Sequence, residues 1–294
     1  MMAGLEPNRK DHRVPESPSA PPPSRSLPPP AALLPPLSGL ARDAGVAIME
    51  IYARADLGER AKVDSSPVTD ADHAAEATIL AGLRILTPDV PAVAEEEVAA
   101  GRVPSVEGRP FWLVDPLDGT KEFVRRNGEF TVNIALVEDG RLVLGVVLAP
   151  ATGRLWRGVV AGVGRDGFAE EVATGGTARR IQVRPVPAAG ATVYTSRTHG
   201  KYSDLDIWLR NEGVRVAERK IAGSSLKFCL IGAGEADLYP RFGPTNEWDT
   251  AAGQAVLEAA GGSVRREDGT PLTYGKPGFA NPWFIARGGA PGGV

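Results

Sequence analysis

From Leu37 onward, apolar residues recur at intervals of three and four (Leu37, Leu40, Ala41, Ala44, Ile48, Ile51 and Tyr52), the period of an amphipathic helix. A loop bearing Ser, Asp and Pro, Asp64 to Pro67, leads to Thr69. A second helix is predicted from about Asp70 to Leu86, stopped by Thr87-Pro88. Val90 to Ala94 reads as a short strand ending in Glu95-Glu96-Glu97. The apolar run from Phe111 reads as a buried strand that meets Asp115 and stops at Pro116, with Asp118, Gly119 and Thr120 turning the corner. Phe130 to Val137 and Leu142 to Leu148 flank Glu138-Asp-Gly-Arg141, and Asp-Gly between two β-rich runs predicts a hairpin. Arg154 to Val160 continues this meander, and the glycine-rich stretch from Gly162 to Gly176 holds another turn or two.

A second half begins near Val186. Ala191 to Ser196 and Ala236 to Tyr239 read as strands, and Tyr202 to Asn211 and Ser225 to Gly232 as helices. A last helix, Trp248 to Ala260, is closed by Gly261-Gly262. Helices and strands alternate around an antiparallel meander, which predicts α/β layering in two halves, 37–185 and 186–294. Residues 1–36 are expected to form a disordered, proline-rich tail. Pro21-Pro-Pro23, Pro28-Pro-Pro30 and Pro35-Pro36 sit there among Ser, Arg and Glu, and proline withholds the N–H that helix and sheet need. A docking segment for a proline-binding partner is the other reading of that tail.

Composition narrows the classes. A net charge of -3 calls for no polyanionic partner, so no nucleic-acid polymer is expected as ligand. The single cysteine, Cys229, excludes an intramolecular disulfide and a thiolate metal cluster; it reads as a core residue and points to a reducing, cytoplasmic compartment. No apolar run is long enough for a membrane span, and no signal-peptide pattern opens the chain. There is no Gly-x-Ser-x-Gly elbow and no P-loop.

The chemistry concentrates in Asp115-Pro-Leu-Asp-Gly-Thr120. Two carboxylates close together at the end of a buried strand normally meet a cation, since unpaired buried charge costs several kcal/mol. With the carbonyl of Leu117 they form an oxygen donor set suited to Mg²⁺. Asp72 and Asp249 each fall in the first turn of a helix, where capping is the ordinary explanation for a lone carboxylate.

Taken with Glu95-Glu96 ahead of it and Trp248-Asp-Thr-Ala-Ala-Gly253 behind it, this motif resembles the signatures of the lithium-sensitive, Mg²⁺-dependent phosphatases of the inositol monophosphatase superfamily. Within it the chain is most similar to the CysQ-type 3'(2'),5'-bisphosphate nucleotidases. The likeness includes Ser66-Pro-Val-Thr69, Asn127-Gly-Glu-Phe-Thr-Val-Asn-Ile-Ala-Leu136, Gly223-Ser-Ser-Leu-Lys-Phe-Cys229 and Leu238-Tyr-Pro-Arg-Phe-Gly-Pro-Thr-Asn246, and runs from Leu37 to the C-terminus. It implies a layered α-β-α-β-α sugar-phosphatase fold and hydrolysis of 3'-phosphoadenosine 5'-phosphate to AMP and phosphate. Two or three Mg²⁺ ions would be held by Glu95, Asp115, the carbonyl of Leu117, Asp118 and Asp249. Asp72 and Thr120 would orient the attacking water. Gly119 and Thr120 would cradle the phosphate, and Ser224, Lys227, Arg241 and His199 would contact the nucleotide.

Two departures matter. Ala94 precedes the acidic pair where the family has Ser or Gly, and Glu97 follows it, so Glu96 rivals Glu95 as ligand. Arg241 stands where inositol phosphatases carry a sugar-reading Glu, and an arginine fork suits a second phosphate. Trp112 and Trp248 read as packing that fixes the ligand-bearing backbone. The rival readings are an inositol monophosphatase or sugar-bisphosphate phosphatase with the same site, and a non-catalytic nucleotide-binding relative. The sequence leaves open a homodimer.

Overall fold

The structure, a computed structural model, describes residues 27–62, 66–196 and 202–289. The first helix, α1 (Pro30–Tyr52), starts at Pro30 rather than at Leu37. This corrects the expected tail: residues 30–36 are helical, and Leu33 and Leu34 are buried at 3% and 1% exposure. Pro30 costs nothing at the first helical position, where the N–H has no intrahelical partner. Pro35 and Pro36 do remove interior donors, and burial of Leu33, Leu34 and Leu37 against the core offsets that loss. The rest of the expected tail, 1–26, lies outside the described residues.

A two-strand ladder, β1 (Arg60–Ala61) with β2 (Pro67–Val68), leads into α2 (Asp70–Leu86). Thr69 caps α2 by accepting the Ala71 N–H at 3.2 Å, and the Asp72 carboxylate accepts the Thr69 N–H at 2.7 Å. The predicted strand at Val90–Ala94 is shorter, β3 (Ala92–Ala94), and the three glutamates open a short helix, α3 (Glu95–Ala99).

The central strand β4 (Phe111–Asp118) is not stopped by Pro116. Its pairing with β5 (Thr131–Glu138) runs to Asp115↔Asn133, slips, and resumes at Asp118↔Thr131. Pro116, which has no N–H to offer, falls inside that irregularity, where no ladder bond is needed. The chain then turns through Gly119, at φ 91°, into α4 (Thr120–Val124). That φ is left-handed, and a Cβ there would lie 3.0 Å from the Glu129 carbonyl, so the turn needs glycine on both counts.

β5 and β6 (Arg141–Ala149) form the predicted hairpin, with φ 50° at Asp139 and 71° at Gly140. β7 (Arg154–Val159), β8 (Phe168–Val172) and β9 (Ala178–Ile181) complete a seven-stranded sheet in the order β3-β4-β5-β6-β7-β8-β9, antiparallel except for β3 on β4.

The second sheet is five-stranded, in the order β11-β10-β12-β14-β13. Its strands are β10 (Ala191–Thr195), β11 (Val216–Ile221), β12 (Leu238–Arg241), β13 (Ser263–Arg266) and β14 (Phe284–Arg287). β12 runs through Pro240 to Arg241, past the Tyr239 limit read from sequence. Beyond Leu238 the β10 side offers no ladder partner, so the missing N–H of Pro240 is not needed there.

Three α-helices lie among and between these strands in the chain: α5 (Tyr202–Asn211), α6 (Leu226–Gly232) and α7 (Glu247–Ala259). α1 and α2 cover one face of the large sheet, α6 and α7 fill the space between the sheets, and α5 packs on the far face of the small one. The order of layers is therefore α-β-α-β-α. α7 lies low on the large sheet. A Cβ on Gly145 of β6 would meet the Ala252 carbonyl at 2.5 Å, and one on Gly158 of β7 would meet Ala259 Cβ at 2.7 Å. Among the described residues no helix is long and apolar enough to cross a membrane.

Candidate active site

The end of β4 and the starts of three helices meet at one cleft between the sheets. Glu95 from α3, Asp118 from β4, Gly119, Thr120 of α4 and Asp249 of α7 line one side. Asp115 lies directly behind them, 1% exposed, with Oδ1 accepting the Leu117 N–H at 3.0 Å. Burial pushes its carboxyl well above the usual carboxylate range, and the charges of Glu95, Asp118 and Asp249 push the same way. Asp249 is raised by burial and then by Asp118 and Glu95, and its carboxylate accepts the Asn246 N–H at 2.9 Å. Asp118 is raised to about 6 by burial; Lys227 and the Ser225 N–H oppose the rise. These acids disfavour one another's charge, which is the electrostatic condition a cation relieves.

Asp72 is 1% exposed and joins the cleft through Thr120, whose hydroxyl lies 3.1 Å from Asp72 Oδ1 and 3.2 Å from the Leu117 carbonyl. Burial raises Asp72 to about 7, although the Thr69 side chain and N–H both donate to it. The same carboxylate is thus helix cap and cleft component.

The glutamate pair divides its tasks. Glu95 lines the cleft, whereas Glu96 is 5% exposed and turned inward, with its N–H donated to Glu76 Oε2 at 2.8 Å. Lys62 bridges both, 2.6 Å from Glu95 Oε1 and 2.6 Å from Glu96 Oε1. Burial alone would lower the Lys62 pKa, but the two glutamates outweigh it and raise it. Glu76 is held at about 7, first by burial and then by the nearby glutamates. Lys62 and Glu76 were not singled out from sequence. Lys62 is separated by 33 residues from Glu95, so no local spacing signals the pair.

The facing side carries Ser224, Lys227 and Arg241. Lys227 is 2% exposed, and its ammonium donates to the carbonyls of Ala222 at 3.0 Å and Ser224 at 2.6 Å, 4.8 Å from the centre of the Tyr239 ring. It braces the loop in which Ser224 adopts φ 47°. Arg241 is the last residue of β12. It donates to Ser196 Oγ and to the Pro244 carbonyl, and its Nε has no partner among the described residues.

The structure therefore gathers Glu95, Asp115, Leu117, Asp118, Gly119, Thr120, Asp72, Ser224, Lys227, Arg241 and Asp249 around one cleft. His199 lies outside the described residues. Among those described, no three His, Cys, Asp or Glu side chains converge closely enough to enclose a cation as they stand. The donor set nevertheless fits a hard divalent ion: it is all oxygen and mutually repelling, and Lys62, Lys227 and Arg241 offset that repulsion only in part. Trp112 and Trp248 pack in the core, at 0% and 6% exposure. Cys229 is fully buried, and burial raises its thiol far from reactivity.

Comparison with known proteins follows the same lines. Residues 31–283 match the inositol monophosphatase family. The 3'(2'),5'-bisphosphate nucleotidase CysQ of Escherichia coli K12 is 47% identical over 255 residues, covering 83% of this chain and 95% of that protein. Its counterpart in Salmonella typhimurium is 48% identical with the same coverage. Among solved structures, CysQ from Bacteroides thetaiotaomicron, a bacterial member of the inositol monophosphatase family, superposes with a TM-score of 0.71 at 34% identity, covering 87% of this chain and 97% of the other. A Thermotoga maritima IMPase gives 0.67 at 27% identity, covering 87% and 92%.

Proposed function

This chain belongs to the inositol monophosphatase family, and on that premise we propose that it is a metal-dependent 3'(2'),5'-bisphosphate nucleotidase that hydrolyses 3'-phosphoadenosine 5'-phosphate to AMP and phosphate. One observation carries the substrate choice: the acidic side of the cleft is faced by a buried arginine, Arg241, 7% exposed, whose fork opens beside Ser196 and Pro244. A bisphosphate has one phosphate to lose and another that is only held, and a planar guanidinium is suited to the held one.

The family is metal-dependent. Glu95, Asp115, the Leu117 carbonyl, Asp118 and Asp249 would hold two or three Mg²⁺ ions. When bound, such ions neutralise the phosphoryl oxygens and lower the pKa of water. Thr120 and Asp72, with the hydroxyl 3.1 Å from the carboxylate, would orient the attacking water. Gly119 and Thr120 present the start of α4 to the scissile phosphate. Ser224 contacts the substrate. Lys227, engaged by two carbonyls, contributes charge and loop shape. His199 is assigned to the nucleotide by resemblance alone.

The test is phosphate release from 3'-phosphoadenosine 5'-phosphate, inositol 1-phosphate and fructose 1,6-bisphosphate, each with and without Mg²⁺. The bisphosphate nucleotide should be turned over with the highest kcat/KM, and only with the metal. A higher value on inositol 1-phosphate would overturn the substrate reading; turnover in excess chelator would overturn the metal reading.

A further inference from the structure

A buried hydrogen-bond chain joins the two halves immediately behind the acidic side of the cleft. Thr131 and Asn133 stand on β5 directly across from Asp118 and Asp115. Cross-strand partners share a face of the sheet, with Cβ atoms about 4.5–5.5 Å apart. Ser225, at the start of α6, reaches over from the other half. Its hydroxyl lies 2.8 Å from Thr131 Oγ1 and donates to Asn133 Oδ1 at 2.7 Å. Thr131, Asn133 and Ser225 are each at most 1% exposed. The one proton of Ser225 goes to Asn133, so Thr131 donates to Ser225. The Ser225 backbone N–H, in turn, faces the Asp118 carboxylate and opposes the rise of its pKa.

Asn133 Nδ2 ends this chain with no acceptor among the described residues. Turning the amide over would not help. Nδ2 would then serve Ser225, and the carbonyl dipole would be orphaned beside carboxylates, which repel it. With the orientation observed, a buried NH₂ group stands on the face it shares with Asp115, whose Oδ1 is served by the Leu117 N–H. A buried donor without an acceptor is rare enough to need a reason.

We infer that Asn133 is a positioning residue for the cation site: its carbonyl fixes Ser225, and so the N–H on Asp118, while its NH₂ is the donor the Asp115 carboxylate takes when it holds a cation. This rests on the reading of the acids as cation ligands. Asn133 thereby sets the aim of two ligands at once, one directly across the strands and one through the other half of the molecule. Partners that orient a ligand in this way govern affinity for the ion more than they govern folding.

The test uses the full chain as wild type, Asn133→Leu and Ser225→Ala. Thermal melting is followed without metal and across a Mg²⁺ titration. Asn133→Leu should melt close to wild type without metal, since it removes one orphaned donor, Nδ2, and leaves one hydroxyl proton of the Thr131–Ser225 pair in its place. It should raise the Mg²⁺ concentration at half of the melting shift by about tenfold or more. Ser225→Ala keeps its backbone N–H and should give a smaller rise. If wild type responds to Mg²⁺ and both variants share its midpoint, the inference fails and the cation reading stands. A lower metal-free melting point with an unchanged midpoint also overturns it, because the chain is then only a staple. Should Asn133→Leu not fold, an unchanged midpoint in Ser225→Ala decides against the inference. A wild type indifferent to Mg²⁺ overturns the cation reading and this inference with it.

Discussion

The two walls of the cleft are built on opposite principles. The acidic wall gathers Glu95, Asp115, Asp118 and Asp249, and burial and mutual repulsion raise the last three above the usual carboxylate range. The basic wall is largely held from within, with only the Arg241 Nε left over among the described residues. Lys227 is engaged by two carbonyls, and Arg241 by Ser196 and Pro244. One wall is complete only with a ligand; the other is shaped before any ligand arrives. Preorganised donors cost little at the moment of binding, whereas crowded carboxylates make the site respond strongly to a cation.

The largest effect should come from the acidic wall. Asp115→Asn keeps the shape and removes the charge at its centre, and kcat at saturating Mg²⁺ should fall about 10³-fold or more. Retention of more than about a tenth of wild-type kcat would show that Asp115 is not a ligand.

The basic wall should respond more selectively. Arg241→Glu should raise KM for the bisphosphate nucleotide about 10- to 100-fold, because a charge-assisted contact is worth about 1.5–3 kcal/mol. Activity on inositol 1-phosphate should fall less. An equal loss of kcat/KM on both substrates would mean that Arg241 does not read the second phosphate.

A third contrast needs no mutation. Asp72 and Glu76 stay protonated in the folded protein to about pH 7, while the unfolded chain releases those protons near the ordinary carboxylate values. The native state therefore binds more protons than the unfolded state between about pH 4 and 7, and stability falls as pH rises through that window. The metal-free protein should lose on the order of a few kcal/mol between pH 5 and 8. Mg²⁺ should restore more stability at pH 8 than at pH 5. Melting at the two pH values in chelator and in Mg²⁺ checks this; a metal-free protein more stable at pH 8 would contradict it.

The smallest effect on catalysis should come from a site remote from both walls. Leu34→Ala leaves a cavity under α1 and should cost about 2–5 kcal/mol of stability with kcat unchanged. Denaturant unfolding and initial rates would show the separation, and a fall in kcat at a temperature where the variant is folded would break it.

The sequence made the local parts of the site easier to read than the long-range ones. Asp115, Asp118 and Thr120 sit within one local motif, and Thr69 with Asp72 forms a cap whose spacing is visible in the chain. Lys62 on Glu95 and Ser225 on Asn133 are long-range contacts, 33 and 92 residues apart, which no local period encodes. Thr131 and Asn133 did leave a trace, as two polar residues on the same face of a strand that is otherwise apolar until Glu138. Elements with strong periodicity, such as α2 and the β5–β6 hairpin, were legible nearly to the residue. β11 was not, because it is largely exposed at the sheet edge and carries no alternation of apolar positions. The prolines misled in both directions: Pro35 and Pro36 are helical, and Pro116 and Pro240 lie inside strands, since neighbours supply what proline lacks.

Gly145 and Gly158 act as a depth stop for the helix that carries Asp249. Their missing methyl groups let α7 sink onto β6 and β7, and the first turn of that helix delivers its carboxylate to the cleft. A side chain added at either glycine would lift a rigid lever whose far end is a ligand. The tolerance at these two positions is thus a matter of alignment at the cleft, set from the floor of the sheet by residues that touch neither substrate nor ion.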